Sequence, residues 1–237
     1  ISRALVDVFS DPFLAKRLAF RGGTALHKLY LSPPVRYSED IDLVQIEPSP
    51  IGPVLDRLRV TLGGWLGEPR RKLARRNATL RFDVPSEAAP SALLRLKVEI
   101  NCREHVFVDP LQRRPFRVES RWFTGEADVT TFTLAELLGT KIRALYQRRK
   151  GRDLFDLWYA LTNGDVVPSR VLETFRVYME QEGHPVTPMQ LHENVVAKLG
   201  NPVFLQDTDA LLRADIEYSV HDAFALVSER LGLAPPH

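Results

Sequence analysis

The 237-residue chain has one cysteine, Cys102, and two methionines. A single thiol forms no internal disulfide and no Cys-rich zinc site. This usage suits a reducing compartment, and a cytoplasmic location is expected. No apolar run approaches the roughly 18 residues of a membrane span. No signal peptide is visible, so no membrane attachment is expected. A large excess of either charge is also missing, with 32 Lys and Arg against 30 Asp and Glu. The net charge is +2, too mild to argue for a nucleic-acid partner by itself. The six histidines are scattered, and His27 reads as a surface residue. Repeats and low-complexity segments are absent.

What is present is ordinary for a globular chain: 44% hydrophobic and 26% charged residues. The length allows one large domain or two small ones. The charge is uneven. Arg70, Arg71, Lys72, Arg75 and Arg76 form one basic cluster, Arg113, Arg114 and Arg117 a second, and Arg148, Arg149, Lys150 and Arg152 a third. Any one of them reads as solvated surface. Three beside a phosphate site favour a polyanionic substrate.

Residues 2–18 read as helical with a break at Asp11-Pro12. A short strand, 18–21, leads through Gly22-Gly23 into a helix over 24–30. Two prolines make 31–35 a loop. Residues 41–46 form a central strand, and 53–66 an amphipathic helix. Residues 77–84 and 93–102 alternate as half-buried strands, separated by a turn over 86–90. Residues 105–124 are strand-like and irregular. At Thr133 the pattern becomes helical, with a Thr133…Glu136 capping box. Gly151 closes or interrupts this first helix. Helices are expected at 153–161, 169–181, 188–199, 207–214 and 219–231. The layout is α+β: a mixed sheet flanked by helices over residues 1–128, packed on an all-helical domain over 129–237. No flexible linker divides the halves, so a shared site in their cleft is expected.

The chemistry concentrates in residues 20–44. Gly22 and Gly23 let a backbone approach a phosphate and open a helix whose N-terminus favours an anion. Thr24 either caps that helix or touches the phosphate. Asp40 and Asp42 lie two apart in an apolar run, so on a strand they share a face. Paired carboxylates call for a cation, and a divalent metal is the usual one. Metal and phosphate together point to phosphoryl or nucleotidyl transfer. Cys102 reads as a small buried hydrophobe.

Three stretches carry a resemblance. Gly22-Gly23-Thr24-Ala25-Leu26 with Arg36-Tyr37-Ser38-Glu39-Asp40-Ile41-Asp42-Leu43 is the first. Lys141…Ala144…Arg148 is the second, and Arg152-Asp153…Asp156-Leu157 the third. In this order they resemble the signatures of the AbiEii/AbiGii toxins, nucleotidyltransferase-like proteins of bacterial toxin–antitoxin systems. The resemblance implies a DNA polymerase β-like nucleotidyltransferase core with a helical C-terminal domain. It implies an NTP donor, Mg²⁺, and an RNA acceptor, above all the 3′ end of tRNA, with growth inhibition as the outcome. It also implies an antitoxin encoded by an adjacent gene. A monomer is the default expectation.

The residue roles follow from the motif. Asp40 and Asp42 would hold metal. Glu99, on the polar face of a neighbouring strand, would complete the metal site and help deprotonate the acceptor. Its other reading is a pair with Lys97 or a cross-strand arginine. The resemblance has Lys141 reach the triphosphate, joined by Arg148 on the same helix face, and makes Asp153 the catalytic member that orients Lys141 or acts as base. Asp156 reads as structural. Arg36 would bind phosphate or pair with an aspartate. Ser38 would lie near the γ-phosphate, where self-modification is conceivable. Two other readings stand beside this one: a nucleotidyltransferase for a small molecule or protein, and a non-catalytic nucleotide- or RNA-binding module.

Overall fold

The computed structural model describes residues 1–31, 33–85 and 93–233. The turn expected over 86–90 lies outside them. The chain forms two compact units. The first comprises Ile1–Ala25 and Ser38–Phe132, the second Leu26–Tyr37 and Thr133–His237. The sequence division at 128/129 thus differs from the structural one, which falls at 132/133 and sends residues 26–37 to the second unit.

The first unit opens with α1 (Ser2–Ser10) and α2 (Pro12–Ala15). Asp11 separates them: its carboxylate accepts from Phe13 N–H at 2.9 Å and Leu14 N–H at 3.1 Å, and Pro12 starts the new turn. Then come β1 (Leu18–Arg21), α3 (Gly22–Leu29), β2 (Asp40–Gln45), α4 (Gly52–Leu66), β3 (Arg70–Leu73), β4 (Asn77–Pro85), β5 (Leu93–Asn101), β6 (Gln112–Glu119) and β7 (Thr124–Thr131). The strands form one sheet in the order β3-β4-β5-β2-β1-β7-β6. It is mixed: β2–β5 and β1–β7 pair parallel, and the rest antiparallel.

Alternation decides the faces. Ala78, Leu80 and Phe82 of β4 are buried with Leu96, Val98 and Ile100 of β5. Val54, Leu55, Leu58, Leu62 and Leu66 give α4 its buried stripe, each worth about 1.5–3 kcal/mol relative to exposure. Leu94, placed by periodicity on the same core face, is instead 58% exposed. Cys102 lies just past β5, half-buried rather than in the core. Two strands left no clear sequence signal. β3 reads Arg-Arg-Lys-Leu and is exposed along its whole length. It exists because it pairs with β4, and its charges blunt a sheet edge. β7 turns Gly125, Ala127 and Val129 to one face, and two of these are too small to mark a strand.

The second unit holds α5 (Leu134–Gln147), α6 (Gly151–Asn163), α7 (Pro168–Gln181), α8 (Pro188–Leu199), α9 (Pro202–Leu205) and α10 (Val220–Arg230). Thr133 Oγ1 caps α5, accepting from Glu136 N–H at 3.1 Å. Leu26 and Leu31 join its core with Leu138, Ile142, Leu145, Leu154 and Leu157. Those apolar contacts explain why segment 26–37 belongs here.

Two expectations change in this unit. Gly151 does not close α5, which ends at Gln147; it opens α6. A Cβ on Gly151 would stand 2.2 Å from the Phe204 carbonyl oxygen, so only glycine fits. The helix expected at 207–214 is a run of turns. Arg36 and Leu212 form a backbone bridge, and Arg213 N–H donates to Val35 C=O at 3.1 Å. Those groups serve the 33–37 segment and are lost to a helical ladder.

Candidate functional site

The sequence candidates fall into two groups, one in each unit. In the first unit, β1 delivers the chain to Gly22, whose φ of +80° favours glycine. A Cβ there would lie 2.3 Å from Asp42 Oδ2. Gly22 and Asp42 are therefore fitted to one another, and the glycine leaves the carboxylate its space. Thr24 is the third residue of α3 and does not cap it. Its hydroxyl donates to the Asp40 carbonyl at 2.6 Å and lies 2.7 Å from Ser38 Oγ. Thr24 has one hydroxyl proton, so Ser38 donates in that pair. Thr24 thus ties the glycine turn to the start of β2 rather than standing open to a ligand.

Parallel pairing of β2 with β5 sets Asp40 opposite Lys97 and Asp42 opposite Glu99. The pattern that placed Asp40 and Asp42 on one face also brings Glu99 beside them. Lys97, read from the sequence only as a partner for Glu99, forms that pair and also reaches Asp40. Its Nζ lies 3.2 Å from Asp40 Oδ2 and 2.9 Å from Glu99 Oε2. Its position two before Glu99 on the same polar face was the available signal. Asn77 Nδ2 donates to Glu99 Oε1 at 2.8 Å.

Three carboxylates face one ammonium. Burial pushes the Asp42 carboxyl up, the Asp40 carboxylate adds to that, and Arg21 only partly offsets them. Burial pulls the Lys97 ammonium down, but its hydrogen bond to Glu99 and the charge of Asp40 outweigh this and raise it. Among the described residues, no three acidic, histidine or cysteine side chains already converge on a metal position. Lys97 supplies positive charge between Asp40 and Glu99. The donor set is nevertheless one of hard oxygens with excess negative charge and a cradle kept open by Gly22. That chemistry suits a divalent cation.

In the second unit the candidates build a buried ionic hub. Lys141 Nζ, on α5, lies 3.1 Å from Asp153 Oδ1 and 2.9 Å from Asp156 Oδ2, both on α6. Arg36 grips Asp156 with two parallel bonds, Nε at 2.6 Å and Nη2 at 2.7 Å. His27 Nε2 lies 2.9 Å from the same carboxylate. His27 is 2% exposed, so its reading as a surface residue is overturned. Arg148 holds Asp153 through Nε at 2.7 Å and Nη2 at 2.8 Å. Burial drives both aspartates up, but Lys141, with Arg148 for Asp153 and Arg36 for Asp156, overcomes it. Asp153 is lowered and Asp156 lies well below the usual carboxylate range. Arg36 is buried against Asp156, so of its two sequence readings the aspartate pair is the one formed. Asp153 has no exposed surface and is held by two cations. It is built to orient Lys141 and is a poor proton acceptor.

The fold is that of nucleotidyltransferases. MenT4, a nucleotidyltransferase toxin from Mycobacterium tuberculosis, is 20% identical and aligns with a TM-score of 0.71 over 97% of this chain and 80% of its own. JHP933 from Helicobacter pylori aligns at 17% identity and a TM-score of 0.56, covering 98% of this chain and 87% of its own. A further Helicobacter pylori structure, 18% identical, gives 0.55 over 98% and 90%. No curated protein matches the chain. Residues 3–226 match the family described as "Nucleotidyl transferase AbiEii toxin, Type IV TA system". The chain belongs to this family of nucleotidyltransferase toxins of toxin–antitoxin systems. No helix among the described residues is long and apolar enough to cross a membrane.

Proposed function

We propose that this toxin transfers a nucleoside monophosphate from NTP to the 3′ end of an RNA, tRNA foremost, and so blocks translation and growth. The observation that carries this reading is the carboxylate group Asp40, Asp42 and Glu99 beside the Gly22 turn. Asp40 and Asp42, with Glu99, would hold Mg²⁺. When bound, the ion supplies charge neutralisation at the phosphates. Gly22 and Gly23 open α3, and its first N–H groups receive phosphate oxygens. The acceptor 3′ oxygen forms its bond to the α-phosphorus, the bond to the β-phosphate oxygen breaks, and pyrophosphate leaves. Glu99 takes the proton from the attacking hydroxyl. Lys141 and Arg148, held by Asp153, are the second unit's candidates for binding phosphate. Ser38 lies two residues before Asp40 and is the residue open to self-modification by NTP. The toxin works as a cytoplasmic monomer, and a cognate antitoxin encoded next to it restrains it.

The test pairs purified protein with total tRNA, Mg²⁺ and each α-³²P-labelled NTP in turn. Label should enter tRNA with the wild type and be lost in Asp40→Ala. Absence of label from every NTP, with a folded metal-loaded protein, sinks the reading.

A further inference from the structure

The polar face of the first unit's sheet carries a second charge arrangement, toward the β3 edge. Three arginines converge on one aspartate. Arg81 Nη2 and Arg95 Nε lie 3.4 Å from Asp83, and Arg70 Nε lies 3.6 Å from it. Asp83 is sheltered at 14% exposure, whereas Arg70 is 76% and Arg95 60% exposed. One carboxylate aligns the three guanidinium groups but cannot neutralise them. The Arg81 Nε–H is buried and finds no acceptor among the described residues.

The register links this cluster to the acids. Arg70 pairs with Arg81, Arg81 with Lys97, and Lys97 with Asp40. Neighbouring strands are about 4.8 Å apart, so the row runs roughly 14 Å from the sheet edge to Asp40. The adjacent row places Lys72, Thr79, Glu99 and Asp42 in line. Neither row contains an aromatic residue, so the face offers charge and no stacking platform.

We propose that Arg70, Arg81, Arg95 and Lys97 form a track for the phosphodiester backbone of a single-stranded RNA whose 3′ end lies at Asp40 and Asp42. The track rests on the reading of those acids as the reacting end. An acidic peptide meets the same arginines but brings no 3′ hydroxyl to Asp40 and Asp42, so the reading of those acids as the reacting end favours RNA. The contacts are to phosphate, so binding is independent of base sequence and steeply dependent on salt.

The experiment measures binding of a fluorescent single-stranded RNA to the full chain over a salt series, without NTP. The double variant Arg70→Glu/Arg95→Glu should weaken binding about tenfold or more and lower the salt slope by roughly 1.4, since each lost single-strand phosphate contact contributes about 0.7. Arg70→Lys/Arg95→Lys should retain most of the affinity. Arg113→Glu/Arg117→Glu, on the opposite edge strand β6, makes the same charge change and should bind like wild type. Equal loss from both edges, or an unchanged slope, overturns the track. So does binding of polyglutamate with this arginine dependence when RNA shows none. If the reversed variant does not fold, Arg70→Gln/Arg95→Gln reads the same slope. A protein that labels tRNA yet binds RNA indifferently to these arginines refutes the track alone. One that binds through them yet transfers no nucleotide refutes the activity alone.

Discussion

At the scale of the residue, the two groups of charge behave differently. The Gly22–Asp42 fit makes a sharp demand: Gly22→Ala places a methyl on Asp42 Oδ2 and forces alanine to a φ of +80°. The backbone term alone costs about 1–2 kcal/mol, and transferase activity should fall close to that of Asp42→Ala. Thermal unfolding and labelling assays on both variants read the two effects. In the hub, Asp156→Ala strands Arg36 and Lys141 in a buried setting, and a loss of about 3–5 kcal/mol is expected in denaturant titrations. The hub also sets an acid limit. In the folded protein the Asp156 carboxyl lies well below its ordinary value of 3.8, so its stabilisation is complete above that value. It fades as pH falls below 3.8 toward the folded pKa. Asp156→Asn should flatten stability against pH in that window. Asp40 and Asp42 were legible because two-residue spacing is a local signal. His27 was not, because its partner lies 129 residues away and no local pattern announces it.

Elements were legible where burial imposed a period. α4 and the paired β4 and β5 alternate or repeat in step with their packing, so the sequence states them directly. β3 has no apolar period, since pairing alone creates it. Residues 207–214 include the apolar Ala210, Leu211, Leu212 and Ala214, but the backbone of 211–213 is committed to residues 35–37. The α5–α6 junction shows the same limit: a glycine after a helix usually ends it, whereas Gly151 is needed by a carbonyl 53 positions later. Gly151→Ala should lower the melting temperature measurably, with the Phe204 carbonyl forced to shift, and should leave RNA binding by the first unit's basic face unaltered. A melting temperature equal to wild type would show that the backbone at Phe204 yields freely.

At the scale of the molecule, a modest net charge conceals strong separation. Carboxylates gather at the centre of the sheet and arginines at its β3 edge. If Asp40 and Asp42 bind a divalent cation, Mg²⁺ should raise the wild-type melting temperature and chelation should reverse it. The stabilisation would approach about 2.7 kcal/mol at a hundredfold excess over Kd, and Asp40→Ala/Asp42→Ala should not respond. Composition and spacing anticipated the α+β layout and the acids. They gave no hint that residues 26–37 leave one unit for the other and return. That excursion bears on how such a gene can be dissected. A fragment cloned from Thr133 onward would carry Asp156 but neither Arg36 nor His27. A fragment ending at Phe132 would display Leu26 and Leu31 with nothing to bury them. Splitting the toxin into separately expressed parts therefore calls for a circularly permuted or loop-grafted design that moves the twelve-residue excursion with the helices it serves.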